Sequence, residues 1–177
     1  IMFIKKNLEY QKLPLPHKVS MSDFEMMSSI DSFREYMLKR HTVRDFSKRS
    51  VDFAIIQKAI QIAGSAPSGA NHQPWHFVAI SNKDIKKTIR EAAEIEEKKF
   101  YSGGASDEWI KALEPIGTNA KKPHLEIAPW LIIIFAERFG TFDDGSKYKN
   151  YYVPESVGIA TGFLIAALHK AGLSVLT

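Results

Sequence analysis

The sequence predicts an α+β fold, with helices packed on a mostly antiparallel sheet, and three observations carry that expectation. Segments of helical period are mixed with short apolar runs bounded by turn residues, without the strict alternation of a parallel βαβ fold. Of 177 residues, 45% are hydrophobic and 25% charged, a globular balance that excludes a disordered or collagen-like chain. This length suits one domain with its own core, and no internal repeat or low-complexity segment interrupts it.

The elements follow in order. Residues 1–21 read as an extended N-terminal arm, because Pro14 and Pro16 hold the chain open. The domain then runs over 22–177. Ser22 caps a helix reaching to about Arg40, with Phe24, Met27, Ile30, Phe33 and Met37 at three- and four-residue steps. A second helix spans about Asp52–Ala63, with Ser50 as its expected cap and Gly64 past its end. Its apolar face is Ile55, Ile56, Ala59, Ile62 and Ala63. Ser65–Pro74 is a run of small and turn-forming residues, and Trp75–Ile80 is a strand.

A charged helix covers about Lys83–Phe100, with Ile85, Ile89, Ala92, Ala93 and Ile95 expected inward. Residues 101–122 read as a lid, with two glycines and a short helix around Trp109. Trp130–Phe135 reads as a fully buried strand and Phe139–Asn150 as a polar loop. Glu155–Lys170 is a helix apolar almost all round, expected inside the fold or in an interface. Gly172 ends it, and Leu173–Leu176 opens another strand.

Composition also removes whole classes of chemistry. With no cysteine, disulfides, iron–sulfur clusters, Cys-based zinc sites and a thiol nucleophile are excluded. The charge of +4 is small, and the basic run Lys39–Arg49 has no interleaved stacking aromatics, so nucleic acid is not an expected partner. Apolar stretches are too short for a membrane span and the start does not resemble a secretory signal; the expectation is a cytoplasmic protein. His72 and His76 have a helical zinc spacing, but Pro74 between them breaks any helix, so no metal site is expected. Neither common Gly-rich nucleotide loop nor G-x-S-x-G occurs.

Three constellations could carry chemistry. Arg40-His41-Thr42-Val43-Arg44 follows a helix end; two guanidiniums and a hydroxyl can fork onto a phosphate, or the cations can simply face the helix dipole. Ala66-Pro67-Ser68-Gly69-Ala70 lets a flat ring or a phosphate approach the backbone, or is an ordinary connection. Glu94, Glu97 and Tyr101 share one helix face, either a solvated surface or a cradle for an ammonium, with Lys122 in the lid able to hold a carboxylate.

Together, Arg40–Phe46, Ala63–Trp75, Glu96–Tyr101 and the stretch from Tyr151 to Leu173 resemble the FMN-dependent nitroreductase superfamily, and within it the iodotyrosine deiodinase branch. The resemblance implies a three-layer α-β-α sandwich, noncovalent FMN, and a homodimer with exchanged arms and the flavin at the subunit interface. On that likeness Arg40, His41, Thr42, Val43 and Arg44 contact the FMN phosphate and ribityl chain, and Pro67 and Ser68 lie against the isoalloxazine. Ala70 offers its backbone near a substrate phenolate, while Glu97, Tyr101 and Lys122 grip an amino-acid zwitterion. No side chain is assigned as catalytic, because the electron chemistry belongs to the cofactor; the residue touching flavin N5 is expected at or beyond Thr177.

The implied activity is reductive dehalogenation of a halotyrosine, with NAD(P)H or a reductase as electron donor. The alternatives are a broad NAD(P)H-dependent nitro- or quinone reductase and a flavin-binding module without turnover. Two departures accompany the likeness. His41 stands where the family usually has a second arginine, implying a weaker or pH-sensitive flavin contact. The family pattern also continues past Thr177, so the chain is expected to be a fragment truncated at its C-terminus.

Overall fold

A computed structural model describes residues 11, 12, 14 and 19–177. Most of the expected arm over 1–21 therefore lies outside the described residues. Helix α1 spans Asp23–Met37 and opens with a capping box: Ser22 accepts from the Glu25 N–H, and the Glu25 carboxylate accepts from the Ser22 N–H. Helix α2, Phe53–Gly64, is capped by Asp52, whose carboxylate accepts from the Ala54 N–H at 2.7 Å; Ser50 does not fill that role. An aspartate one residue from the helix start reaches the free amides, and Ser50 lies too far upstream.

Strand β1, Trp75–Ile80, leads to α3, Lys83–Lys99, capped by Asn82. A wide turn over Phe100–Gly104 and helix α4, Asp107–Leu113, occupy the expected lid region. The short helix α5, His124–Ile127, precedes strand β2, Leu131–Ala136. Strands β3, Phe139–Thr141, and β4, Lys147–Lys149, form a hairpin where a polar loop was expected. The last helix, α6, is Val153–Lys170, with Pro154 in its first turn.

Strands β1 and β2 pair antiparallel, with Phe77 opposite Ile134 and Ala79 opposite Ile132. Those four residues pack on the face that meets α2 and α6, where Ile56, Ala59, Ala63, Leu164 and Leu168 form the buried core. Burying each of the larger aliphatic side chains is worth about 1.5–3 kcal/mol, so this α2–α6–sheet contact dominates the stability of the scaffold. The strand expected over Leu173–Leu176 is a single bridge, parallel, between Val175 and Thr42. The fold is α+β, as expected.

Four burial expectations change. β2 is half-buried rather than fully buried, and Phe135 is 53% exposed, because only alternate residues of a two-stranded sheet face the core. On α2, Ile55 and Ile62 stay exposed, since the contact with α6 is centred on Ile56, Ala59 and Ala63. The buried residue of α3 is Lys86, while Ile85 and Ile95 are exposed. α6 is not enclosed all round: Val153, Ser156, Ala160, Leu164 and Leu168 make one buried stripe, with Ile159 and Phe163 exposed beside it.

Candidate functional site

The cationic motif begins where α1 stops. Tyr36, in the last turn of α1, donates its hydroxyl to the carbonyl of His169 in α6, and the His169 ring nitrogen Nε2 lies 3.0 Å from the Tyr36 carbonyl. Lys170 sits 4.6 Å over the Tyr36 ring. This reciprocal lock fixes the exit of α1 against the end of α6. A turn follows, with the Lys39 and Arg40 N–H groups donating to the Tyr36 and Met37 carbonyls, and beyond it the Val43 N–H donates to Val175 O at 3.3 Å beside the Thr42–Val175 bridge. The C-terminal segment leading to Thr177 is thereby brought alongside the Arg40–Arg44 motif. Neither arginine has an acidic partner among the described residues. Two uncommitted guanidiniums with a threonine hydroxyl between them fit the oxygens of a phosphate.

The small-residue loop is shaped by its contacts with the chain entering α6. A Cβ on Gly69 would stand 2.7 Å from the Tyr151 carbonyl, so only glycine fits this approach. Ala70, Asn71 and Gln73 all take left-handed backbone angles, with φ of 50°, 54° and 50°. Ser68 Oγ accepts from the Gln73 N–H at 2.9 Å, and the Gly69 N–H donates to Ser156 Oγ at 3.2 Å. Pro67, Ser68 and Gly69 of the loop face Tyr152, Glu155, Ser156 and Ile159 across an open cleft of about 340 Å³. From below, His72 Nδ1 lies 2.8 Å from Asn150 Oδ1, and the buried Asn150 amide donates to Glu137 O at 2.7 Å. Sequence reasoning missed Tyr152, Ser156 and Asn150. A polar residue in the first turn of an apolar helix was the available signal for Ser156.

The third constellation is assembled across the lid. The Lys122 ammonium pairs with Glu97 at 2.9 Å and lies 3.4 Å from the Thr118 hydroxyl. The Lys122 N–H donates to Glu94 Oε1 at 2.8 Å, and Glu94 Oε2 meets Arg90 Nη1 at 2.8 Å. Arg90 Nε also reaches Glu126 Oε2 at 2.7 Å. The Lys122 N–H, followed by the Arg90 charge, holds the Glu94 carboxyl below its usual value even though partial desolvation pushes the other way. His124 is pushed down by burial first, then by the Lys122 and Arg44 cations, against an opposing pull from Glu97. The cationic motif and the lid terminus are thus close enough to share one titrating group. Tyr101 is the second residue of the wide turn and stacks edge-on with Phe100, making no bond to Glu97 or Lys122.

No cluster of three metal-ligating side chains exists among the described residues. No helix among them is long and apolar enough to cross a membrane.

The chain is 50% identical over 153 residues to an iodotyrosine deiodinase of Haliscomenobacter hydrossis, covering 86% of this chain and 69% of that protein. It is 38% identical over 173 residues to iodotyrosine deiodinase 1 of Homo sapiens, covering 98% of this chain and 59% of the human protein. The Daphnia pulex relative is covered over only 52% of its length, so the chain spans between half and about two thirds of these proteins. Among solved structures, oxidized iodotyrosine deiodinase bound to FMN and 3-iodo-L-tyrosine matches with a TM-score of 0.71 at 32% identity, over 80% of this chain and 71% of that one. An FMN-dependent nitroreductase from Clostridium difficile shares the fold at a TM-score of 0.56 and 21% identity, over 82% of this chain and 59% of that one. A family model described as the nitroreductase family matches residues 37–177, from the end of α1 through both loops to the last residue, and the chain belongs to that family.

Proposed function

We propose that this chain is the FMN-binding part of a homodimeric reductive dehalogenase that removes halide from a halotyrosine. The observation that carries the reading is the Glu97–Lys122 ion pair, closed at 2.9 Å between α3 and the end of the lid. A zwitterion presents an ammonium to Glu97 and a carboxylate to Lys122, so it can enter this pair and leave neither charge alone. A ligand with one charge would satisfy one partner and strand the other in a half-buried setting, which is costly. That selects an amino acid over a simple phenol. The likeness to deiodinases over most of the chain supports the same choice.

FMN would be held at its phosphate and ribityl chain by Arg40, His41, Thr42, Val43 and Arg44, with Pro67 and Ser68 against the ring system and Thr177 toward N5. Bound reduced FMN supplies the electrons; the overall change exchanges a carbon–halogen bond for a carbon–hydrogen bond, taking up two electrons and a proton and releasing halide. The chain's own residues orient the substrate. The zwitterion is fixed by Glu97, Tyr101 and Lys122, and the phenolate is directed toward the Ala70 backbone. Closing residues 101–122 over the ring excludes water. NAD(P)H or a partner reductase supplies the reducing equivalents, and the cytoplasm is the setting of this reading.

The test is anaerobic reduction of the purified FMN-loaded protein, followed by parallel assay of iodide release from 3-iodotyrosine and reduction of a nitroaromatic. Iodide release should be the faster reaction. Nitroaromatic turnover that greatly exceeds it would replace this reading with a broad nitro- or quinone reductase.

A further inference from the structure

Four residues of α3 fasten the chain that returns from the lid. Lys86, Arg90, Glu94 and Glu97 follow one another along a single stripe of the helix, and each engages the segment 118–128. The buried Lys86 ammonium donates to the carbonyls of Glu126 and Ala128, at 3.1 and 2.7 Å. Arg90 holds the Glu126 carboxylate, and Glu97 holds the Lys122 ammonium. Glu94, like Lys86, grips the backbone, and the group it grips belongs to the residue whose side chain Glu97 holds: its carboxylate accepts the backbone N–H of Lys122.

Lys122 is therefore held at two points, its backbone by Glu94 and its side chain by Glu97. The two contacts have different futures when a ligand arrives. The ammonium must leave Glu97 to meet an incoming carboxylate, whereas the backbone anchor can stay. We infer that Glu94, oriented by Arg90, is a positioning residue that keeps the Lys122 backbone in register on α3 while the ammonium transfers from Glu97 to the substrate carboxylate. Both Glu94 oxygens are committed, one to the Lys122 N–H and one to Arg90, so the carboxylate has a single orientation. The inference rests on the zwitterion reading of the Glu97–Lys122 pair given above.

The test compares Glu94→Ala, Glu94→Gln and Lys122→Met in the FMN-loaded protein. Gln keeps the size of Glu94 but cannot accept at both ends, from the Lys122 N–H at one and Arg90 at the other, because one end of its amide is a donor. Each variant is titrated with 3-iodotyrosine for its dissociation constant and assayed with 3-iodotyrosine and 2-iodophenol for KM and kcat. Both Glu94 variants should weaken 3-iodotyrosine binding about tenfold and raise its KM, the scale of one charge-assisted contact. Turnover of 2-iodophenol, which has no zwitterion, should be unchanged. In a Lys122→Met background, Glu94→Ala should add nothing further.

Unchanged 3-iodotyrosine binding in the Glu94 variants, beside a clear loss in Lys122→Met, would overturn the positioning role and leave the zwitterion reading intact. Equal losses with both substrates, or loss of FMN or of folding in both Glu94 variants, would make Glu94 a scaffold residue and overturn it as well. If Lys122→Met itself binds 3-iodotyrosine normally, the zwitterion reading fails and the role of Glu94 falls with it.

Discussion

His124 lies two residues past Lys122, at the start of α5, with cations on two sides. Burial and the charges of Lys122 and Arg44 disfavour its protonated form in the folded protein, and Glu97 offsets only part of this. The unfolded chain has no such penalty and takes up the proton at higher pH. Between the two values the unfolded state binds more protons, so stability must fall as pH falls through the histidine range. His124→Gln removes that titration. The wild type should lose more Tm than the variant between about pH 7.5 and about pH 5.5, where ordinary carboxylates remain ionised. Equal losses in thermal melts of the two proteins would show that His124 does not report this field. None of this is visible in the sequence, where His124 is one of six histidines; its surroundings come from a lid that returns across α3.

The helices were readable because their apolar periods are long and Ser22 marks the start of α1; the caps at Asp52 and Asn82 emerge only in the structure. What covers each face was less readable. Phe24 is 82% exposed on α1, Met27 61% and Phe33 54%, so the period marks an amphipathic helix without naming its partner. The β3–β4 hairpin shows the opposite case, an element hidden by polar composition. Its turn is carried by Asp144, which accepts from the Ser146 N–H at 2.9 Å, and by Gly145 at φ +81°. An Asp-Gly pair between short alternating runs was the signal. The strands close only because position 140 has no side chain: a Cβ there would stand 2.1 Å from the Tyr148 ring. That ring has little room to yield, with Phe142 at 4.6 Å and His72 at 5.4 Å between centroids. Gly140→Ala should therefore cost about 1–3 kcal/mol in denaturant unfolding, the usual scale of overpacking. The same substitution beside Tyr148→Ala should cost much less; if the cost persists, the clash is not its origin.

Across the whole molecule, the scaffold and the candidate cofactor donors make separate demands on the chain. The core joins α2, α6 and the β1–β2 sheet, while the Arg40–Arg44 motif hangs between the Tyr36–His169 lock and the Val175 bridge. Both were present in the sequence as motifs, yet their meeting was not, because the residues that join them are about 130 positions apart and meet only through the Tyr36–His169 lock and the Thr42–Val175 bridge. Arg44 is exposed and has no acidic partner among the described residues, so the apo fold draws little from it. Arg44→Ala should leave the Tm of the FMN-free protein nearly unchanged. FMN at a hundredfold excess over its Kd should stabilise the wild type by about 2.7 kcal/mol, as binding to the native state alone requires. For a protein of this size that is a rise of roughly 5–10 °C. At the same FMN concentration Arg44→Ala should show a much smaller rise, and added inorganic phosphate should compete in the wild type more than in the variant. An undiminished FMN shift in Arg44→Ala would move the phosphate contact elsewhere. A lowered apo Tm would instead mean that the motif is part of the scaffold, because a cation without a partner has nothing in the apo fold to lose.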